Sequence, residues 1–224
     1  MFSTPYFYFM SNYMKIDVFS IESKLSEPFF AKFKSIAIDA IEKYIDAIKA
    51  LEAKNVERDL PSITDNEAEE IIRSHYCKLA DDIEDEDVLQ VFDALRHSFS
   101  CYAYNGLHQL YTRQENESWH PKIMLVDRLE PNDIDSLDPK IKIYRGCDVG
   151  EFDNEAYGQA WTTSLDVAKD FAFKDYQSQP WFKEENRIVV ETIYSREHLL
   201  FSYQFVEFEA VVDVEKLGIV RKHT

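Results

Sequence analysis

The sequence is poor in glycine and proline, and this shortage excludes several classes of protein. Its 224 residues include only 5 glycines and 7 prolines, against 16 phenylalanines and 13 tyrosines. Disordered, collagen-like and low-complexity chains are excluded, because they lack the apolar area that offsets the entropy lost on folding. The length suggests roughly one to two domains and is sufficient to bury a substantial core.

Cysteine is also scarce, and no metal-binding pattern is present. Cys77, Cys101 and Cys147 are an odd number without a CxxC pair, which argues against both a disulfide framework and a zinc site. We therefore expect a reducing compartment. The six histidines show no paired metal spacing, and neither a glycine-rich phosphate loop nor a nucleophile elbow is present. We expect no metal cofactor.

The sequence has few positive charges and no long apolar run. It contains 25 basic and 42 acidic residues, a net charge of −17. This charge opposes non-specific binding to nucleic acid or to an anionic membrane. No apolar segment approaches the length of a membrane helix. The aromatic segment 1–15 lacks the early basic residues of a signal peptide, so we interpret it as core-packing. These features predict a soluble, cytoplasmic protein.

The first half of the chain has the periodicity of helices. Apolar residues spaced three and four apart predict a helix beginning at Ser26 and ending near Lys54. Thr64 with Glu67 forms a capping box that predicts a second helix through Leu79. A third helix follows the acidic segment 81–87 and continues toward Tyr111. Its apolar face consists of Val88, Val91, Phe92, Leu95 and Phe99.

The second half changes to the periodicity of strands. We predict strands over 140–146, 187–194 and 205–214, with short β segments around 199–203 and a short helix over 166–173. The pattern indicates an α+β fold rather than alternating βαβ units. We predict a helical lobe over 1–113 packed on the core, a junction over 114–139 and a β-rich core over 140–224. Together they would form one compact domain.

Three short motifs in the β-rich half contain side chains suited to chemistry. Tyr144-Arg145-Gly146 ends a predicted strand, where an arginine fork beside glycine can bind a phosphate that approaches the backbone. The alternative is an ordinary salt bridge of Arg145. Thr162-Thr163-Ser164 could orient a catalytic carboxylate through hydroxyl groups, whereas the alternative is a helix cap at Ser164.

The third motif, Glu207-Phe208-Glu209, lies in the predicted strand 205–214. Residues two apart on a strand project to the same face, so both carboxylates would share one face. Val206, Phe208, Ala210 and Val212 would share the other. Two neighbouring carboxylates resist joint ionisation unless a cation or hydrogen-bond donors lie nearby. The alternative is the solvated face of an edge strand.

In this order, the three motifs resemble those of the ADP-ribosyltransferases of the Arg–Ser–Glu class, over roughly 102–214. The resemblance implies an ADP-ribosyltransferase-like core of two packed sheets. It also implies that NAD is the substrate and that its nicotinamide–ribose bond is cleaved. Glu209 would stabilise the ribose cation and Thr162 would hold Glu209 in place. Arg145 would bind the NAD phosphate and keep Glu209 ionised.

The resemblance also suggests further NAD contacts from Gly146, Thr163 and Ser164. The loop 174–186 corresponds to the family's phosphate–nicotinamide loop. Its Trp181 and Phe182 would cover the nicotinamide ring, unless these aromatic residues dock the loop onto the core.

The acceptor is predicted from Glu207, because a glutamate at this position accompanies arginine acceptors in the family. We therefore expect transfer of ADP-ribose to a protein arginine by a bacterial or phage toxin or effector, with a neutralising antitoxin or immunity protein as a further partner. One alternative acceptor is a nucleic-acid base, and another is water, which would give NAD hydrolysis. Thr162 replaces the family's usual serine, which favours a third alternative, an inactive interaction module.

Overall fold

The computed structural model describes residues 1–54, 67–105, 124–178 and 182–223. They form two compact units. The first contains the described residues up to Met124, and the second begins at Leu125. This boundary lies within the predicted junction 114–139. Residues after it already belong to the second unit, since the Leu129 amide donates to the Leu200 carbonyl at 2.8 Å.

The regular elements of the first unit are helices in the part of it that the structure describes. Its α-helices are α1 (Thr4–Tyr8), α2 (Val18–Lys24), α3 (Lys34–Glu52), α4 (Glu67–Ala80) and α5 (Glu86–Asn105). A π-helix over Phe9–Tyr13 follows α1, and a 3-10 turn over Ala31–Phe33 precedes α3. No helix in the described part of the chain is both long and apolar enough to cross a membrane.

Most of the predicted helical core is confirmed. On α5, all five residues of the predicted apolar face are buried, and so are Ala37, Ile41, Tyr44, Ile48 and Leu51 on α3. The aromatic N-terminal segment packs in the core only in part, since Phe9 and Met10 are buried whereas Tyr8 and Tyr13 are exposed. Helix α4 begins at Glu67, whereas the predicted capping residue Thr64 and the continuation toward Tyr111 lie outside the described residues.

The predicted start of α3 at Ser26 is wrong by eight residues. The Ser26 hydroxyl donates to the Glu22 carbonyl at 2.6 Å, so it completes the end of α2 instead of opening α3. The Glu27 amide likewise donates to the Lys24 carbonyl. Since these groups are occupied by the preceding helix, α3 begins only at Lys34, after the 3-10 turn.

The second unit is built on one antiparallel sheet. Its strands are β1 (Lys140–Asp148), β2 (Ala160–Thr162), β3 (Arg187–Ser195), β4 (Leu199–Tyr203), β5 (Glu209–Val212) and β6 (Arg221–Lys222). Helix α6 (Val149–Asp153) follows β1, and α7 (Leu165–Phe173) follows β2. The strand order is β4-β5-β2-β1-β3-β6. The structure is therefore mixed helix and strand, but the predicted core of two packed sheets is not confirmed.

The sheet consists of two three-stranded halves that meet at a single pair of residues. Strands β1 and β3 pair along their whole lengths, from Lys140 opposite Ser195 to Asp148 opposite Arg187. By contrast, β1 and β2 pair only through Tyr144 and Thr162. The sheet is continuous there, but few backbone hydrogen bonds join its two halves.

The predicted strand 205–214 is wrong in its first half. Strand β5 starts at Glu209, and Phe208 has a left-handed φ of 50°, which interrupts an extended backbone. Val206 is 63% exposed instead of sharing a buried face with Ala210 and Val212. Backbone groups of 207 and 208 bond to β2 and the residue after it: Thr162 Oγ1 donates to the Glu207 carbonyl, and the Thr163 amide donates to that of Phe208.

The two faces of the sheet are covered differently. One face carries the main core of the unit, which includes Ile141, Ile143, Trp161, Val190 and Val212. The other is covered by α7, whose Ala168 and Ala172 pack with Val189. Here β1 presents Gly146, and a Cβ at that position would lie 2.2 Å from the Ala168 carbonyl oxygen and 2.5 Å from the Ala172 nitrogen. Only glycine allows helix and strand to approach this closely.

We predict that Gly146→Ala destabilises the protein by about 1–3 kcal/mol, because the added methyl group meets backbone atoms that cannot rotate away. Urea denaturation of the full chain measures the change. Gly218→Ala is the matched control, since a Cβ there meets nothing within 4 Å. It should leave the free energy of unfolding unchanged or slightly higher. Equal costs for the two variants would contradict this explanation of Gly146.

Candidate active site

The candidate site lies where the two halves of the sheet meet. Tyr144 of β1 is opposite Thr162 of β2, which is itself opposite Glu209 of β5. Glu209 is opposite Tyr203 of the edge strand β4. Paired residues of antiparallel strands project to the same side of a sheet. The structure therefore places Thr162 and Glu209 on adjacent strands and on one face, although they are far apart in sequence.

Thr162 acts on the backbone around the site. Its buried hydroxyl donates to the Glu207 carbonyl at 2.7 Å and accepts from the Ser164 amide at 3.0 Å. The resemblance predicted that this hydroxyl holds the Glu209 side chain. In the structure it instead fixes the turn that precedes Glu209, while the backbones of residues 162 and 209 pair.

Thr163 and Ser164 form hydrogen bonds with different parts of the unit. Ser164 caps α7, because its hydroxyl accepts from the Val167 amide at 3.4 Å, as the helix-cap interpretation predicted. Thr163 donates its hydroxyl hydrogen to the Gln204 side chain. The hydroxyl motif thus joins the start of α7 to the segment before β5.

Gln204 organises that segment, and the sequence reasoning did not identify it. Its amide nitrogen Nε2 donates to the Glu209 carbonyl at 2.9 Å and to Ser202 Oγ at 3.1 Å. Its backbone amide donates to Asp133 Oδ2 at 2.6 Å. A glutamine between two short strands gave no signal in the sequence, because its partners come from residues 133, 163 and 209.

Glu207 and Glu209 do not share the face of one strand, contrary to the prediction. Glu207 lies in the turn before β5 and is exposed, whereas Glu209 begins the strand and is half-buried. Although the residue as a whole is exposed, partial burial of its carboxyl group, followed by the negative charge of Asp175, raises the pKa of that carboxyl. Glu207 is therefore better suited to accepting a proton than an ordinary surface glutamate.

Arg145 is not placed beside Glu209. Its Nε and Nη2 donate to the two carboxylate oxygens of Glu151 at 3.0 and 3.2 Å, and its Nη1 donates to the Ala160 carbonyl at 2.6 Å. The Arg145 and Glu151 side chains are only 4% and 9% exposed. Strand alternation places Arg145 on the face of Ile143, opposite the face of Tyr144 and Glu209.

This arrangement corrects two expectations about the Tyr144-Arg145-Gly146 motif. The salt-bridge interpretation of Arg145 describes the structure, because its guanidinium is paired with Glu151 on the face opposite that of Glu209. The close approach at Gly146 is made by the backbone of α7 and leaves no room there for a phosphate.

The loop 174–186 is described only in part. Trp181 lies outside the described residues, and Phe182 is half-buried. At the start of the loop, Tyr176 stacks on Phe171 with ring centroids 6.3 Å apart and lies 6.0 Å from the Arg187 guanidinium. These contacts dock the first part of the loop onto α7. The proposed cover for a nicotinamide ring stays a prediction.

Comparison with known proteins identifies no relative of this chain, since it matches no family model, no curated protein and no solved structure. The part of the chain that the structure describes contains no group of His, Cys, Asp and Glu side chains that could hold a metal ion.

We predict that Glu151→Ala destabilises the protein by about 3–5 kcal/mol, because it leaves the buried Arg145 guanidinium without its carboxylate. Replacing both residues, as in Arg145→Met with Glu151→Leu, should cost clearly less, since no buried charge remains. Urea denaturation measures both effects.

The matched control is Asp39→Ala, which removes an exposed ion pair with Lys43 on α3. Such a pair contributes about 0.5 kcal/mol or less. A cost for Glu151→Ala as small as that of the control would show that the Arg145–Glu151 pair is not a buried structural contact.

Proposed function

We propose that this chain is a mono-ADP-ribosyltransferase that cleaves the nicotinamide–ribose bond of NAD and transfers ADP-ribose to a protein arginine, as a bacterial or phage toxin or effector. The observation that carries the proposal is the hydrogen bond from Thr162 to the turn that bears Glu207 and precedes Glu209. It joins two of the three motifs that resemble the Arg–Ser–Glu class. The narrow junction between β1 and β2 lies beside them.

Glu209 is assigned the electrostatic role. When the C1′–N bond breaks, its electron pair leaves with nicotinamide, and the ribose carries a positive charge shared between C1′ and the ring oxygen. A carboxylate held beside this cation stabilises it more than it stabilises NAD, which lowers the barrier. The backbone pairing with Thr162 and the bond from Gln204 to the Glu209 carbonyl fix the main chain that bears this carboxylate.

Glu207 is assigned the role of base toward the acceptor. A guanidine nitrogen attacks C1′ and forms the new C–N bond, and the proton it loses passes to the Glu207 carboxylate. A base acts best when its pKa lies near the working pH. The raised pKa of Glu207 agrees with this role, and its exposure leaves it accessible to a macromolecule.

The buried Arg145–Glu151 pair favours a second candidate, an interaction module without activity. In the proposed enzyme the phosphates of NAD must be bound by other groups or by a rearranged Arg145, because Glu151 occupies the guanidinium. Measuring nicotinamide release from NAD separates the two candidates.

We predict that the protein releases nicotinamide from NAD and that Glu209→Gln slows this release by about 100-fold or more, because the ribose cation loses its carboxylate. The amide keeps the side-chain shape and the backbone pairing, so the thermal unfolding midpoint should stay unchanged. Chromatography of nicotinamide measures the rate. Glu215→Gln, an exposed glutamate after β5, is the matched control. An absence of release by the unaltered protein would favour the inactive module.

We predict that Glu207→Gln lowers transfer to a small guanidine acceptor by about 100-fold but has a smaller effect on NAD hydrolysis. The unaltered protein should lose transfer as the pH falls through the raised pKa of Glu207, because the base becomes protonated. Asp175→Asn removes the negative charge that contributes to this pKa. It should therefore move the acidic limb of the pH–rate profile to lower pH.

The control for Asp175→Asn is Asp138→Asn, an exposed aspartate before β1, which should leave the acidic limb in place. Equal loss of transfer and hydrolysis in Glu207→Gln would contradict the assigned role. An unmoved limb in Asp175→Asn would show that Glu207 does not set the pH dependence.

A further inference from the structure

A surface groove of the second unit lies away from the candidate active site. It is formed by the segment 152–157, which follows β1 through α6, and by the segment 214–220, which leads into β6. Its volume is about 1040 Å³. Several residues of its wall pack against the core cluster that contains Ile143 and Trp161. The groove therefore adjoins the face of the sheet opposite Tyr144 and Glu209.

The floor of the groove is apolar. Phe152, Tyr157 and Leu217 are only partly buried, although they belong to the outer layer of the core. Ile219 is 78% exposed, and the space beside Gly218 is open. Exposed apolar residues grouped on one surface and rimmed by polar groups are typical of a site for another molecule.

The rim of the groove is acidic. Asp153, Glu155 and Glu215 line it and are exposed, and none of the described lining residues is a lysine or arginine. Burial, followed by electrostatic interactions with neighbouring groups that include Cys147 and Glu155, raises the pKa of Tyr157 to about 12. A negative potential at the groove disfavours phosphates and anionic lipid headgroups.

The apolar floor of the groove already contacts one positively charged side chain of this protein. The Lys222 ammonium lies 4.8 Å from the centre of the Phe152 ring, within the range of a cation–π contact. Because Lys222 already contacts the Phe152 ring, the carboxylates of Asp153, Glu155 and Glu215 are the partners for an ammonium or guanidinium group of another molecule. These carboxylates do not suit an acidic ligand.

We propose that this groove binds a basic amphipathic segment of a partner protein. Aliphatic side chains of the segment cover the floor, and its lysines or arginines pair with Asp153, Glu155 and Glu215. Burying the apolar floor supplies affinity, while the charges at the rim select the partner and speed its association. The inference does not depend on transferase activity, because none of these residues belongs to the candidate active site.

The test uses the full chain without NAD and measures fluorescence anisotropy of a labelled 14-residue peptide of leucine and lysine, at about 0.15 M salt. We expect Asp153→Lys with Glu215→Lys to weaken binding about tenfold or more. Asp81→Lys with Asp82→Lys makes the same charge change on exposed residues of the first unit, and it should weaken binding less than threefold.

Two further comparisons isolate the apolar floor. Ile219→Ser removes an exposed side chain, which leaves the core intact, and should weaken binding about threefold or more. A peptide in which serine replaces leucine should bind at least tenfold more weakly than the leucine–lysine peptide. If the two charge reversals weakened binding equally, binding would depend only on the overall negative charge of the protein, and the proposal would be overturned. Equal binding of the two peptides would also overturn the proposal. So would the absence of binding at a protein concentration of about 100 µM, which corresponds to the dissociation constant of a weak interface.

Discussion

The close approach of α7 to β1 at Gly146 is the constraint on which the second unit depends. Backbone meets backbone there, and no side chain separates helix from strand. This contact fixes α7, and Ser164 at the N-terminus of α7 is joined to β2 through Thr162. Thr162 in turn bonds to the turn before β5. A chain of contacts therefore leads from Gly146 on β1, through α7 and β2, to the turn that precedes Glu209 on β5.

Two pairs of charged side chains in this unit, Arg145 with Glu151 and Glu207 with Asp175, have different surroundings. Arg145 and Glu151 form a buried pair on the core face, where each satisfies the other, and this burial makes the pair sensitive to the loss of either partner. Near the start of β5, Glu207 and Asp175 lie close enough for the aspartate to raise the pKa of the glutamate. The two pairs differ physically. The Arg145–Glu151 pair is neutral as a whole, whereas a cation that approaches Glu207 and Asp175 lowers the repulsion between their carboxylates.

The periodicity of apolar residues correctly predicted the elements whose form depends only on their own sequence. The period of apolar residues gave the buried faces of α3 and α5, and alternation gave β1 and β3, because each pattern is set by the geometry of its own backbone. The hydroxyl motif predicted the cap at Ser164 for the same reason. The boundaries failed at Ser26 and Phe205, where hydrogen bonds to neighbouring segments override the intrinsic preference of the chain.

The sequence alone determined the α+β character, the order of the three motifs and the acidity of the chain. Tertiary structure decided which charged side chains meet. Arg145 bonds to Glu151 on the core face. Gln204 donates to Asp133 and to the Glu209 carbonyl, and it accepts from Thr163. The turn that separates Glu207 from Glu209 is fixed by Thr162, 45 residues before Glu207. Periodicity specifies the face on which a residue lies within its own element, but the group opposite it depends on how distant elements pack.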